Sequence, residues 1–150
     1  MLRIAIVGGA CLWLLLPKLD VSTTRVLASQ ARALIEHDSV VATSEPGPHS
    51  GGGQTTAYSF FARAPNLGLV FRKRALHQGA AIGYHRQDED EVYYILSGTG
   101  ELTLNGDRSV VGPGTAILTR PGSSHGLRQV GSADLVVISA YQQPGNRKDP

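Results

Sequence analysis

Four side chains in two glycine-bracketed segments carry the chemistry open to this sequence. The first segment, Gly83 to Gly100, reads GYHRQDEDEVYYILSGTG and holds His85, Gln87 and Glu91. The second, Gly112 to Gln129, reads GPGTAILTRPGSSHGLRQ and holds His125. Imidazole nitrogen, amide oxygen and carboxylate are all donors that divalent first-row metals accept. Side chains alternate along a strand, so His85 and Gln87 are expected on one face. Asp88-Glu89-Asp90 can turn the chain and return Glu91 to that pair, and His125 must arrive on a neighbouring strand. If the segments meet, all four converge on one divalent cation, Mn, Fe, Ni or Zn. Tyr93 shares the parity of Glu91 and is expected in the same pocket as a hydrogen-bond donor or proton carrier. Plainer readings stand beside these. The two histidines can line an interior without metal, Glu91 can belong to the solvated run from Asp88, and Tyr93 can simply pack. Tyr84 and Tyr94 have the outward parity. Arg72, Arg120 and His77 read as surface residues, the two arginines with an anion-binding role as the alternative.

Short β elements must position these groups. Glycine (18) and proline (8) are frequent among the 150 residues, which favours turns over long helices. Strands are expected over Ala57–Phe61, Leu67–Leu76, Ala80–His85, Val92–Ser97, Glu101–Leu104, Ser109–Val111, Ala116–Thr119 and Asp134–Tyr141. Asn105-Gly106 is a hairpin signal. Short strands with Gly/Pro turns indicate an antiparallel sandwich or barrel. Leu34–Thr43 reads as a short strand or the end of a processed segment. Ser44–Gln54, SEPGPHSGGGQ, reads as a loop without regular structure, with His49 solvated in it.

Composition narrows the classes. Hydrophobic residues make up 41% and charged ones 17%, a globular balance. The net charge is +2, but Arg3, Lys18, Arg25 and Arg32 against Asp20 place +3 of it in residues 1–33. The remainder is nearly neutral, with no footprint for nucleic acid and no basic surface for a membrane. Ile4 to Leu16 is an uncharged run of 13 residues, shorter than the roughly 20 needed to span a bilayer. Pro17 closes it, and small residues recur at Ala28, Ala31 and Ala33. This pattern reads as an export signal over 1–33, giving a periplasmic or secreted protein. A buried first element is the alternative. The single cysteine, Cys11, lies inside that run, so a processed chain has no thiol for disulfide, nucleophile or zinc. The division expected is signal 1–33, linker 34–56, barrel 57–142 and flexible tail 143–150.

The two segments resemble the paired motifs of the cupin superfamily. The first motif is glycine, His-x-His, Glu and Gly, and this chain offers His85, Gln87, Glu91 and Gly98 at that spacing. In the second, Gly114, Gly122 and His125 match, with Arg120 in the proline slot and Gln129 in the asparagine slot. The resemblance covers about Leu67 to Tyr141. It implies an all-β double-stranded β-helix, a jelly-roll barrel. Gln87 replaces a histidine, and a neutral oxygen donor there favours manganese or ferrous iron over zinc and copper.

The resemblance implies a metal-dependent barrel acting on an oxygen-rich small molecule, a sugar or organic acid, by isomerase, epimerase or lyase chemistry. An iron dioxygenase and a non-catalytic sugar-binding barrel are the alternatives. Exposed strand edges make a homodimer the expected partner state.

Overall fold

The computed structural model describes residues 33–143. The expected export signal and tail therefore lie, apart from Ala33 and Gln143, outside the described residues. A single helical turn, α1 (Asp38–Val41), leads into ten strands: β1 (Ala42–Pro46), β2 (Gln54–Phe60), β3 (Leu69–Leu76), β4 (Ala81–Arg86), β5 (Glu91–Ser97), β6 (Thr99–Leu104), β7 (Asp107–Val111), β8 (Ala116–Thr119), β9 (Ser124–Val130) and β10 (Leu135–Gln142). They form a six-stranded sheet in the order β1-β2-β3-β10-β5-β8 and a four-stranded sheet in the order β4-β9-β6-β7. Every pairing is antiparallel.

Alternation along the strands assigns the two faces. In β5, Glu91, Tyr93 and Ile95 are buried while Val92, Tyr94 and Leu96 are exposed. The inward residues Leu76, Ile95, Leu127, Leu135 and Val137 are almost fully buried and join Ile82, Leu102, Val111 and Ile117 in one core between the sheets. Each fully buried aliphatic side chain contributes roughly 1.5–3 kcal/mol relative to exposure.

Three elements differ from the sequence expectation. Leu34–Thr43 is not a strand: it holds the turn α1 (Asp38–Val41), and only Ala42 and Thr43 enter β1. Ser44–Gln54 is not wholly irregular: Ser44–Pro46 belong to β1, which pairs with β2 from Ala42↔Tyr58 to Pro46↔Gln54. Arg74 anchors that edge, with Nη2 2.6 Å from Glu45 Oε1 and Nη1 donating to Thr55 Oγ1 at 2.7 Å. The last difference is β9 (Ser124–Val130): His125 is expected to arrive on a strand, but the sequence marks no strand range around it. Its buried inward positions are His125, Leu127 and Gln129. Two of the three are polar, so the apolar period of two that marks a half-buried strand is missing.

Gln129 shows why polarity survives there. Its Oε1 accepts from Gly79 N at 2.7 Å, and its Nε2 donates to Ala133 O at 2.7 Å and Gly131 O at 3.1 Å. The buried amide is thus fully partnered and ties two turns to the strand.

Candidate metal centre

β4 cannot present both Ile82 and His85 inward by simple alternation, because they are three residues apart. The register resolves this. Ile82 pairs with Leu127 and His85 with His125, so β4 advances three residues while β9 advances two. The extra residue is a bulge at Gly83-Tyr84, and it turns His85 into the interior beside His125. Tyr84 is left outside, 55% exposed. The bulge also needs glycine: a Cβ on Gly83 would lie 1.9 Å from the carbonyl oxygen of His49. The loop after β1 is pressed onto this spot, with Gly83 N donating to Pro48 O at 2.9 Å.

Beyond β4, Gln87 stays extended. Its N–H donates to Ser123 O at 2.8 Å, and its carbonyl accepts from Gly122 N at 2.9 Å. Asp88 to Asp90 then turn the chain into the other sheet, where Glu91 opens β5. Four ligand-type groups therefore arrive from two sheets and the corner between them, as their spacing predicts. The rings of His85 and His125 lie 4.8 Å apart between centroids, inclined at 62°. One donor atom from each of His85, Glu91 and His125 falls within 4.8 Å of the others. Gln87 Nε2 sits among them, 3.0 Å from His85 Nε2, 3.0 Å from His125 Nε2 and hydrogen-bonded to Glu91 Oε2. His125 Nε2 is also 3.2 Å from Glu91 Oε2.

The donor set fits a divalent cation. A histidine ligand must present a bare nitrogen, and its other nitrogen must be held elsewhere. His85 Nδ1 donates to Gly83 O at 2.8 Å, which leaves Nε2 as the lone-pair atom facing the cluster. His125 is fully buried and its Nδ1 lies 2.7 Å from Thr119 Oγ1. Glu91, 5% exposed, supplies a negative charge with no lysine or arginine partner among the described residues. Gln87 has two N–H groups facing three acceptors. A half-turn of the amide exchanges its oxygen into the same place and makes it a fourth donor.

His85, Gln87 and Glu91 form one wall of a cavity of about 330 Å³, bordered also by His49, Arg72, Tyr93, Ser139 and Tyr141. That lies at the small end of the range for ligand pockets. Tyr93 is 3% exposed and its ring lies 4.7 Å from that of His125, inclined at 21°. Burial, and then the charge of Glu91, push its hydroxyl well above the ordinary tyrosine range near 10.0, so it stays protonated and donates. His49 stacks on His85 with centroids 3.5 Å apart and planes at 4°. Desolvation of that face, and then the neighbouring His85, hold it below its ordinary value near 6.5, while its outer edge is exposed.

Some sequence expectations fail here. Arg72 is read as a surface residue, but it borders the cavity, because its position pairs with Ser139 in the row of β5 that holds Tyr93. Only its parity in β3 could have signalled this. Arg120 is on the surface, 2.8 Å from Asp90. His49 was expected free in solvent; its ring face is covered by His85. Thr119, buried behind His125, carries no sequence signal at all.

Comparison with known proteins agrees with this architecture. The cupin domain family matches residues 74–141. An oxalate-binding protein of Thermotoga maritima is 34% identical over 75 residues, which span 49% of this chain and 62% of that protein. An L-ectoine synthase of Vibrio campbellii is 25% identical over 80 residues, 53% of this chain and 62% of the relative. The chain thus matches less than two thirds of these curated relatives. A Thermotoga maritima crystal structure, described as a predicted oxalate decarboxylase, superposes with a TM-score of 0.67 at 24% identity, covering 73% of this chain and 98% of that one. At that identity the likeness speaks for the fold alone.

Proposed function

The chain is a small cupin-domain protein, and on that premise we propose that its barrel holds one divalent cation on His85, Glu91 and His125 and acts on a small, oxygen-rich organic acid or sugar. The observation that carries this reading is the convergence of three donor atoms within 4.8 Å, with both histidine Nε2 atoms turned to the same point. When bound, such a cation polarises a ligand carbonyl or hydroxyl oxygen. The chain's own groups do the rest. Gln87 completes the donor set through its amide oxygen and keeps the total charge of the set at that of Glu91 alone. His85 and His125 are oriented by Gly83 O and Thr119 Oγ1. Tyr93 delivers a hydrogen bond, or a proton, to ligand oxygen from a hydroxyl that burial keeps protonated. Moving a proton next to a polarised carbonyl is isomerase, epimerase or lyase chemistry.

Elemental analysis of the purified chain tests the metal. About one divalent ion per chain is expected in the parent and essentially none in His125→Ala. A parent that stays metal-free after incubation with Mn²⁺, Ni²⁺ and Zn²⁺ overturns the reading. Deuterium wash-in from D₂O, followed by NMR over a panel of hydroxy acids and sugars, tests the catalysis. Tyr93→Phe is expected to lose exchange and keep metal. The relative described as oxalate-binding favours a second reading, in which the barrel binds such an acid without turnover. Metal-dependent binding without exchange selects it, and substrate-dependent oxygen uptake by an iron form selects a dioxygenase.

The proposal includes export by residues 1–33 and a homodimer formed through sheet edges. N-terminal sequencing of protein recovered outside the cytoplasm and light scattering test these two points.

A further inference from the structure

Among the described residues, Nε of Arg72 is the one buried side-chain nitrogen or oxygen without a hydrogen-bond partner. A buried donor left unmade is costly, and native structures rarely carry one without a reason. Its neighbour on the same face of β3 is different. Arg74 is fully engaged, with Nη2 2.6 Å from Glu45 and Nη1 donating to Thr55. Arg72 has no carboxylate within salt-bridge distance among the described residues, although it borders the same cavity as Glu91 and Tyr93.

The strand register shows what stands around it. Arg72 pairs with Ser139 of β10, and Ser139 pairs with Tyr93 of β5. Tyr141, two residues along β10, pairs with Glu91. Ser139 and Tyr141 both border the cavity. Neighbouring strands are about 4.8 Å apart, so the backbones of Arg72 and Tyr93 stand roughly 10 Å apart across two strand spacings. Their side chains leave the same face of the six-stranded sheet and border one cavity. The cavity is therefore bordered both by the cluster of His85, Gln87 and Glu91 and, two strands from Glu91 and Tyr93, by a guanidinium with hydroxyls beside it.

Resting on the proposed metal site, we propose that Arg72, with Ser139 and Tyr141, forms a carboxylate subsite, so that the ligand is a small acid carrying a second anionic group. One end of the molecule, a hydroxy- or keto-carboxylate, meets the cation. The other end meets the planar fork of Arg72, whose N–H groups match the two oxygens of a carboxylate. The unpartnered Nε is the donor that this second group satisfies. A monoacid fills only half of the arrangement and leaves Arg72 as it is.

L-malate and L-lactate share the hydroxy-carboxylate end and differ in the second carboxylate, so calorimetric titration of the Mn²⁺-loaded chain with each reads the subsite directly. The parent is expected to bind malate roughly tenfold or more tighter than lactate, the range of one hydrogen-bonded charge. Arg72→Met is expected to bring the ratio near one while Mn²⁺ content and lactate affinity stay. Arg72→Lys, with the charge but not the fork, falls between. A structural arginine would lower the melting temperature when replaced; loss of an unpartnered Nε is expected to leave it unchanged or raise it. If Arg72→Met does not fold, Arg72→Gln takes its place in the comparison. A parent ratio near one, or a ratio that survives Arg72→Met or Arg72→Gln, overturns the subsite. Should the parent bind none of Mn²⁺, Ni²⁺ and Zn²⁺, the metal reading falls by itself. Malate binding to the metal-free chain that Arg72→Met abolishes would then uphold the subsite, and no malate binding would overturn it.

Discussion

Thr119→Val separates the two states of His125. Thr119 is 1% exposed and His125 0%, and Thr119 Oγ1 lies 2.7 Å from Nδ1, so no water can replace the hydroxyl. A cation on Nε2 requires the proton on Nδ1, donated to Thr119. In Thr119→Val, nearly the same in shape, that N–H is buried and unpartnered, at a cost of about 1–3 kcal/mol. The whole cost falls on the metal-binding tautomer. Without metal, the ring can move its proton to Nε2, where Glu91 Oε2 waits at 3.2 Å. Metal affinity should therefore fall about 5- to 150-fold, in the range found for removal of groups that orient histidine ligands. Stability of the metal-free protein should fall by less than that equivalent. Thr119→Ser retains the hydroxyl and should keep affinity within roughly threefold, at the cost of a small cavity. The assay is competition for Zn²⁺ and Mn²⁺ against a chromophoric chelator, with thermal melts of the metal-free forms. Unchanged affinity in Thr119→Val, or a loss of affinity no larger than the loss of metal-free stability, refutes the reasoning.

Gln87→His should tighten Zn²⁺ more than Mn²⁺, by about tenfold or more, because imidazole is the softer donor and brings at most one N–H into the cluster where the amide brings two; equal affinities in parent and variant, from the same chelator competition, exclude Gln87 from the donor set. Gly83→Ala places a methyl 1.9 Å from His49 O and 2.9 Å from Gly51 N, both backbone atoms. The loop at 47–53 must lift off the bulge, with a stability loss of about 1–3 kcal/mol and cleavage within the loop by limited proteolysis; a parent-like melt and digest would show that the loop is not held there.

Much of this fold is legible in residue order because its turns carry their own chemistry. Asn105-Gly106, both at positive φ, makes the hairpin between β6 and β7 as expected. Strands with an apolar inward face, such as β5 and β10, announce themselves. β9 does not, because His125 and Gln129 occupy inward positions for reasons other than packing. The convergence of His85, Gln87, Glu91 and His125 was legible from types and spacing, and Glu91 lies inside as its register required. The bulge that aims His85 was not, since it depends on which residue of β9 opposes which of β4. His49, Thr119 and Arg72 escaped for the same reason: each matters through a partner distant in sequence. Arg72 looks like a surface cation within Arg72-Lys73-Arg74, until the register sets it opposite Ser139. Lys73, with the opposite parity, lies over the Tyr58 ring at 4.1 Å and pairs with Asp38.

Anomalous diffraction from crystals grown with Mn²⁺ locates the cation directly. A single strong peak bounded by His85 Nε2, Glu91 Oε2 and His125 Nε2 is the result expected. A saturating Mn²⁺ concentration that leaves this point without a peak, or puts the ion on other side chains, would contradict the account.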